Sequence, residues 1–260
     1  MPRMIASFVT VVLTSVGASM DAVETSSSEV FDAIECSEAN GMFPFAIPEE
    51  GAKGAADASF MLDAPVGKHG FVRAEGARFV TDAGPIRFNG TNLTGPANFP
   101  DHAAADRLAS RFAALGINCV RLHYMDTWYS NFMDERRQCL LADDSKTQRK
   151  LSPEQFDKLD CLVAALKKKG IYVNMNLHVG RKIDERDGGV EGGLTKTVGH
   201  FMPRLVELHR EYARDLLTHV NPYTGNAYTD EPAVAMIKIS CIMSLVSVCL
   251  ESERLSKIRS

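Results

Sequence analysis

Arg121 and His123 stand two residues apart in the apolar segment Ile117-Asn118-Cys119-Val120-Arg121-Leu122-His123, and His178 closes a second such segment that begins at Ile171. Side chains of a strand alternate between its faces, so Arg121 and His123 share one side while Val120 and Leu122 take the other. A guanidinium is always charged and offers a planar fork of N–H donors suited to carboxylates. Arginine is rarely buried without a partner. Two readings of Arg121 are therefore open: it orients an anionic group in a site, or it closes a structural ion pair. His178 at the end of its strand could hydrogen-bond a ligand hydroxyl, or it could serve packing. Taken together the three residues predict a convergent polar cluster at one rim.

The elements that must position them follow from periodicity and punctuation. Phe71 to Val80 and Ile86 to Leu93 alternate around the turn Thr81-Asp82-Ala83-Gly84-Pro85, which predicts a hairpin or capping ribbon running into a first core strand. Asp101 is an N-cap candidate for a helix with Leu108, Phe112 and Leu115 on one face and Gly116 as its stop. Ser152-Pro153-Glu154-Gln155 reads as a capping box with proline at the first helical position, followed by Phe156, Leu159, Val163 and Leu166 and ended by Gly170. A third helix is expected over 203–219 with Leu205, Leu208, Tyr212 and Leu216 inward. Asn221 to Gly225 then turns the chain into a last strand within Glu231 to Leu245. The glycine-rich stretch with Gly188, Gly189, Gly192 and Gly193 lacks the GK[ST] of a phosphate cradle and reads as a surface loop.

Strand and helix thus alternate, which demands parallel pairing with right-handed crossovers. No tight glycine turn of the dinucleotide-binding kind follows the first strand. Short loops before the strands and long ones after them favour an α/β fold of the (β/α) barrel type, whose chemistry sits at the C-terminal ends of the strands.

Composition narrows the function classes. With 45% hydrophobic and 24% charged residues the 260-residue chain is an ordinary globular protein. A formal charge of -4 gives no basic footprint for neutralising phosphates, so no nucleic-acid partner is expected. Met1-Pro2-Arg3, an apolar run and the small residues Val16-Gly17-Ala18 fit a secretory signal peptide over 1–20, hence a secreted or periplasmic protein with no membrane association after cleavage. A poorly ordered lead-in is expected over 21–58, the folded domain over 59–240 and a divergent tail over 241–260. The six cysteines show no zinc-ligand spacing, and a bridge between Cys139 and Cys161 is left open.

Four segments together carry a resemblance: NGTNL, LGINCVRLHYMD, LKKKGIYVNMNLHVGR and VNPYTGNAYTDEPAVAMIKIS. From about Ser59 to Ser240 they resemble the N-terminal half of a cellulase-type family 5 glycoside hydrolase, a retaining glycosidase on a TIM barrel. The resemblance implies about the first four strand-helix units of such a barrel behind an N-terminal hairpin. It implies that Arg121 positions a catalytic nucleophile and that His178 lines a sugar site. Asn92, His123 and Trp128 fall in segments that resemble substrate-contacting ones, Trp128 either stacking on a sugar ring or packing as a half-buried indole. No cofactor and no metal are implied, and the expected ligand is a β-glycan or oligosaccharide.

The same resemblance predicts a defect. Retaining hydrolysis needs one proton-donating carboxyl and one nucleophilic carboxyl. The Asn-Glu pair that ends the family's fourth strand falls here on Cys241 and Ile242, and isoleucine cannot transfer a proton. The roughly 20 residues after Ser240 are too few for four further units of about 30 residues each, so the nucleophile's strand is expected to be missing. No catalytic residue is assigned. The expectation is an inactive family member, with a carbohydrate-binding pseudoenzyme or a truncated gene product as alternatives.

Overall fold

The computed structural model describes residues 54–127, 138–142, 147–189 and 198–240; the expected signal peptide, most of the lead-in, the tail, Trp128, Gly192, Gly193, Cys241 and Ile242 lie outside them. Among the described residues no helix is long and apolar enough to cross a membrane.

Among the described residues, seven strands form two sheets. Strands β1 (Arg73–Glu75), β2 (Arg78–Thr81) and β3 (Gly84–Ile86) make an antiparallel ribbon. Strands β4 (Gly90–Thr94), β5 (Cys119–His123), β6 (Tyr172–His178) and β7 (Val234–Ser240) make a parallel sheet in that order. The ribbon turns where expected, between Thr81 and Gly84, but its segments are shorter than read: Gly76, in the left-handed region at φ 60°, breaks the first, and Arg87 to Asn89 separate β3 from β4. A left-handed φ favours glycine, so Glu75-Gly76-Ala77-Arg78 makes a turn where an unbroken strand was expected.

Helices α1 (His102–Ala114), α2 (Pro153–Lys168) and α3 (Pro203–Leu217) connect the parallel strands. Spatial order equals chain order, and each strand pairs with the one before it. A doubly wound sheet reverses direction at a switch point; this sheet has none among its described strands, as a barrel wall requires.

Local chemistry places the helix ends. Asp101 accepts from the Ala104 backbone N–H at 2.7 Å, and the Ser152 hydroxyl accepts from Gln155 N–H at 3.4 Å. Each cap satisfies one orphan donor of a first turn. Gly170 ends α2 in the left-handed region, where a Cβ would also meet Leu62 at 2.9 Å. The inward faces expected for α2 and α3 are buried as read. For α1 the expectation is corrected: Ala105, Ala109 and Ala113 are its buried face, Leu108 and Phe112 are half-buried, and Leu115 is exposed beyond the last turn. Small side chains let α1 approach α2 closely, which a leucine stripe would prevent.

The core lies between the helices and one face of the sheet, where Val120, Leu122, Val173 and Met175 meet Leu159, Leu162 and Leu166. The ribbon sits at the opposite end from the rim, through Phe88 edge-on to Tyr172 at the start of β6. No disulfide joins Cys139 and Cys161.

Buried Glu231 fastens α2 to the entry of β7. Its carboxylate accepts from Lys167 Nζ at 2.8 and 3.0 Å, from Ala233 N–H at 3.0 Å and from Asn226 Nδ2 at 3.2 Å. Burial pushes the carboxyl up, but Lys167 and the other donors outweigh it and hold it below its ordinary value. Glu231→Ala leaves those donors unmatched and should cost about 3 kcal/mol in a urea unfolding midpoint, with Glu231→Gln costing less.

Candidate functional site at the strand rim

Pleating of β5 sends Val120 and Leu122 into the helix layer and turns half-buried Arg121 and His123 to the other face. In register with them, Asn92 lies opposite Arg121 on β4, and Asn174 opposite Arg121 on β6. One pleat further along β6, Asn176 is buried and reaches both side chains. With its carbonyl oxygen turned toward them, the Asn176 amide accepts from Arg121 Nη2 at 2.8 Å, Arg121 Nε at 2.9 Å and His123 Nδ1 at 2.6 Å. The opposite amide orientation would set N–H groups against a guanidinium, which has donors only. The partner of Arg121 is therefore an amide oxygen.

Three further contacts hold this group. Asn98, buried behind β4, donates from Nδ2 to the carbonyls of Gly95 at 2.9 Å and His123 at 2.7 Å. Exposed Asn92 donates to Thr94 Oγ1 at 2.7 Å, so its amide lies along the rim of β4. Tyr124 adopts a left-handed φ of 57° and sets its ring edge-on to His123 at 4.7 Å. A bulky residue in that region is strained, and such strain gathers at functional loops. Gly180 makes the turn fit, because a Cβ there would lie 2.7 Å from the Tyr124 ring.

That turn delivers Asp126 to the interior. Its fully buried carboxylate accepts backbone N–H groups from Val179 at 2.8 Å, Gly180 at 3.1 Å and Arg181 at 3.1 Å, and faces His178 Nδ1 at 3.5 Å. Burial raises this carboxyl, yet His178 and the loop amides overcome it and hold it below the usual carboxylate range. An ionised acceptor with its lone pairs occupied cannot act as a proton donor. Asp126 ties the loop after β5 to the loop after β6.

His178 is brought to the same rim but into a second group. As the last residue of β6 it lies between Asp126 and α3, with its ring 4.0 Å from His209. Beyond it, buried Arg181 donates from Nη1 to the Leu208 carbonyl and from Nη2 to the Gln148 carbonyl, both at 2.8 Å. The expected single cluster is thus two: Arg121, His123 and Asn176 on the sheet face, and His178, Asp126 and His209 beside α3. Asn176 was legible, since it precedes His178 by one pleat. Asp126 and Arg181 stand in loops, where no period points to them. Among the described residues no group of three His, Cys, Asp or Glu side chains is arranged to hold a metal ion.

The sheet-face group offers N–H donors and an imidazole at the C-terminal ends of parallel strands, a setting suited to ligand hydroxyls or an anion. If the Asn176 oxygen accepts from His123 Nδ1, neutral His123 is the Nδ1–H tautomer. Long-range proton–nitrogen NMR at pH 8 should show that tautomer in the wild type and a shift toward Nε2–H in Asn176→Ala, with a stability loss of about 1–3 kcal/mol.

No protein-family model matches this sequence, and no curated protein matches it. Among solved structures, the endo-1,4-beta-mannanase from Rhizomucor miehei matches with a TM-score of 0.51 and 20% identity, over 65% of this chain and 48% of that one. An endo-1,4-beta-D-mannanase from Thermotoga petrophila matches at TM-score 0.41 and 20% identity, over 66% and 52%. A glycoside hydrolase family 5 mannosidase from Rhizomucor miehei matches at 0.43 and 16%, over 70% and 48%. Family 5 glycoside hydrolases, which the sequence resembles, are thus among the solved structures that match. The likeness to the Rhizomucor mannanase is one of fold, and this chain spans about half the length of the structures it matches.

Proposed function

We propose that this chain carries the N-terminal part of a family 5 type glycoside hydrolase barrel, and that its strand rim binds a β-glycan or oligosaccharide. The observation that carries this reading is the Arg121–Asn176–His123 network. It stands at the C-terminal ends of parallel strands in chain order, where a barrel builds its site. The sequence resemblance and the mannanase fold support the choice of sugar as ligand. Mannan-type chains are the first to test.

The proposed mode is binding without cleavage. Arg121 and His123 turn polar groups toward ligand hydroxyls, Asn176 keeps both in place, and exposed Asn92 extends the rim across β4. Retaining hydrolysis would need two carboxyls about 5 Å apart flanking the bond, one of them protonated. On the resemblance, Ile242 occupies the place of the acid/base. Asp126 is held ionised and fully engaged, so it is no substitute donor. The reaction class needs no cofactor. Residues 1–20 serve as a signal peptide in this reading, placing the protein where extracellular glycans are met.

Calorimetry with mannohexaose and cellohexaose, beside an assay on aryl β-mannosides and aryl β-glucosides, tests both halves of the proposal. Saturable binding is expected, weakened roughly ten-fold or more, about 1.4 kcal/mol, by His123→Ala or Arg121→Ala, with no turnover. Absence of binding to both oligosaccharides would remove the glycan reading, and turnover abolished by Arg121→Ala would remove the inactivity.

A further inference from the structure

Beside the rim, and apart from the proposed glycan contacts, three imidazoles gather where α3 meets the end of β6. His178 closes β6, His200 precedes α3, and His209 lies one turn before the buried Tyr212. The His178 ring is 4.0 Å from that of His209, tilted by 41°, and 6.0 Å from that of His200. Together with Leu177, Val206 and Ile239 they line a cavity of about 200 Å3. His209 Nε2, His178 Nε2 and the Tyr212 hydroxyl are buried without a hydrogen-bond partner among the described residues.

The charges facing this pair decide what a proton would do there. From the loop after β5 comes Asp126, the carboxylate 3.5 Å from His178 Nδ1, and its oxygens already accept three backbone N–H groups. From the loop after β6 comes Arg181, a buried cation 5.3 Å from the Tyr212 ring. From α3 come Arg210 at the cavity and Tyr212, whose phenol burial keeps neutral. Among the described residues, β7 contributes uncharged Ile239 to the cavity wall, and the segment before α3 contributes Gly199 and His200. Among the described residues, Asp126 is the carboxylate that acts on His209, against His178, His200 and Arg181, and Arg181 is itself shared among Asp126, Asp187 and Glu211. Two imidazolium rings at stacking distance would repel each other in a poorly solvated space.

We propose that the His178–His209 contact is an acid-released latch, closed while His209 is neutral, which holds α3 against the end of β6. Protonation of His209 opens it by separating α3 and residues 198–202 from the sheet, while the α1–α2 layer stays folded. Burial first, then His178 and Arg181, lowers the affinity of His209 for a proton to a pKa of about 3, against 6.5 for a free imidazole. His200 is lowered in the same direction, by burial and then by His178. The sign follows from linkage. A histidine depressed in the closed state contributes its full stability above 6.5, and loses it as pH falls from 6.5 toward 3, because the open state binds the proton more tightly. Between pH 8 and pH 4.5 a shift of this size raises the open population about 100-fold.

Hydrogen exchange with mass spectrometry on the full chain at pH 8 and pH 4.5, corrected for the intrinsic pH dependence of exchange, reads this directly. Peptides covering 203–217 are expected to open about 100-fold more often at pH 4.5, while those covering 153–168 keep their protection. His209→Phe retains a ring without a proton site, and His209→Gln retains polarity without one. Either variant, if folded, is expected to lose most of the pH dependence, and His200→Gln is expected to keep most of it. Three outcomes overturn the proposal: α3 protection in the wild type that does not change with pH, loss of protection in α2 together with α3, or an unchanged pH response in a folded His209 variant.

Discussion

A parallel sheet joined by crossover helices buries one face against those helices, and that constraint sorts every strand residue of this chain into one of two tasks. On β5, Val120 and Leu122 belong to the core, and Arg121 and His123 to the opposite face. On β6 the same alternation sends Val173 and Met175 to the helices and Asn174 and Asn176 to the polar side. Because the strands pair in chain order with a fixed register, the polar residues of neighbouring strands arrive at one level. The Arg121–Asn176–His123 network is a product of that register: a slip of one residue on β6 would put Leu177 where the amide stands.

Burial of polar groups is the second constraint, and it is met mainly in the loops. Asp126 is fully enclosed, yet three backbone amides surround it, so desolvation is offset and the two loops that follow β5 and β6 become one unit. Arg181 does the same for α3 and the segment at Gln148 through their carbonyl oxygens. Glu231 repeats the device at the other end of the sheet, joining α2 to β7. Exposed pairs such as Lys158 with Glu154 add little by comparison, since water screens them.

These constraints place two kinds of polar group side by side at one rim. The sheet-face group is held by hydrogen bonds among its own side chains, an arrangement that would spare a ligand surface ordering costs on binding. His178 and His209 beside α3 hold buried nitrogens without hydrogen-bond partners among the described residues, a source of conditional stability. The mannanase likeness is one of fold and says nothing about this second group.

Much of the framework could be read from residue order alone. The cap at Ser152, the inward faces of α2 and α3 and the shared side of Arg121 and His123 follow from short-range rules: a hydroxyl meets an orphan N–H, and periods of 3.6 and 2 residues divide faces. Family resemblance added the expectation of a barrel and of a sugar ligand, through local motifs. The alanine face of α1 escaped that reading, because hydrophobic periodicity favours the larger Leu108 and Phe112 while close helix packing selects the smaller residues. What the sequence determined, then, was which segments form elements and which side chains share a face. Only the tertiary structure decided that Asn176 would join Arg121 to His123, that Asp126 would be enclosed by the next loop, and that His178 would turn to His209. Each of those contacts joins residues dozens of positions apart, and their distance is set by strand register and helix docking, which no local pattern encodes.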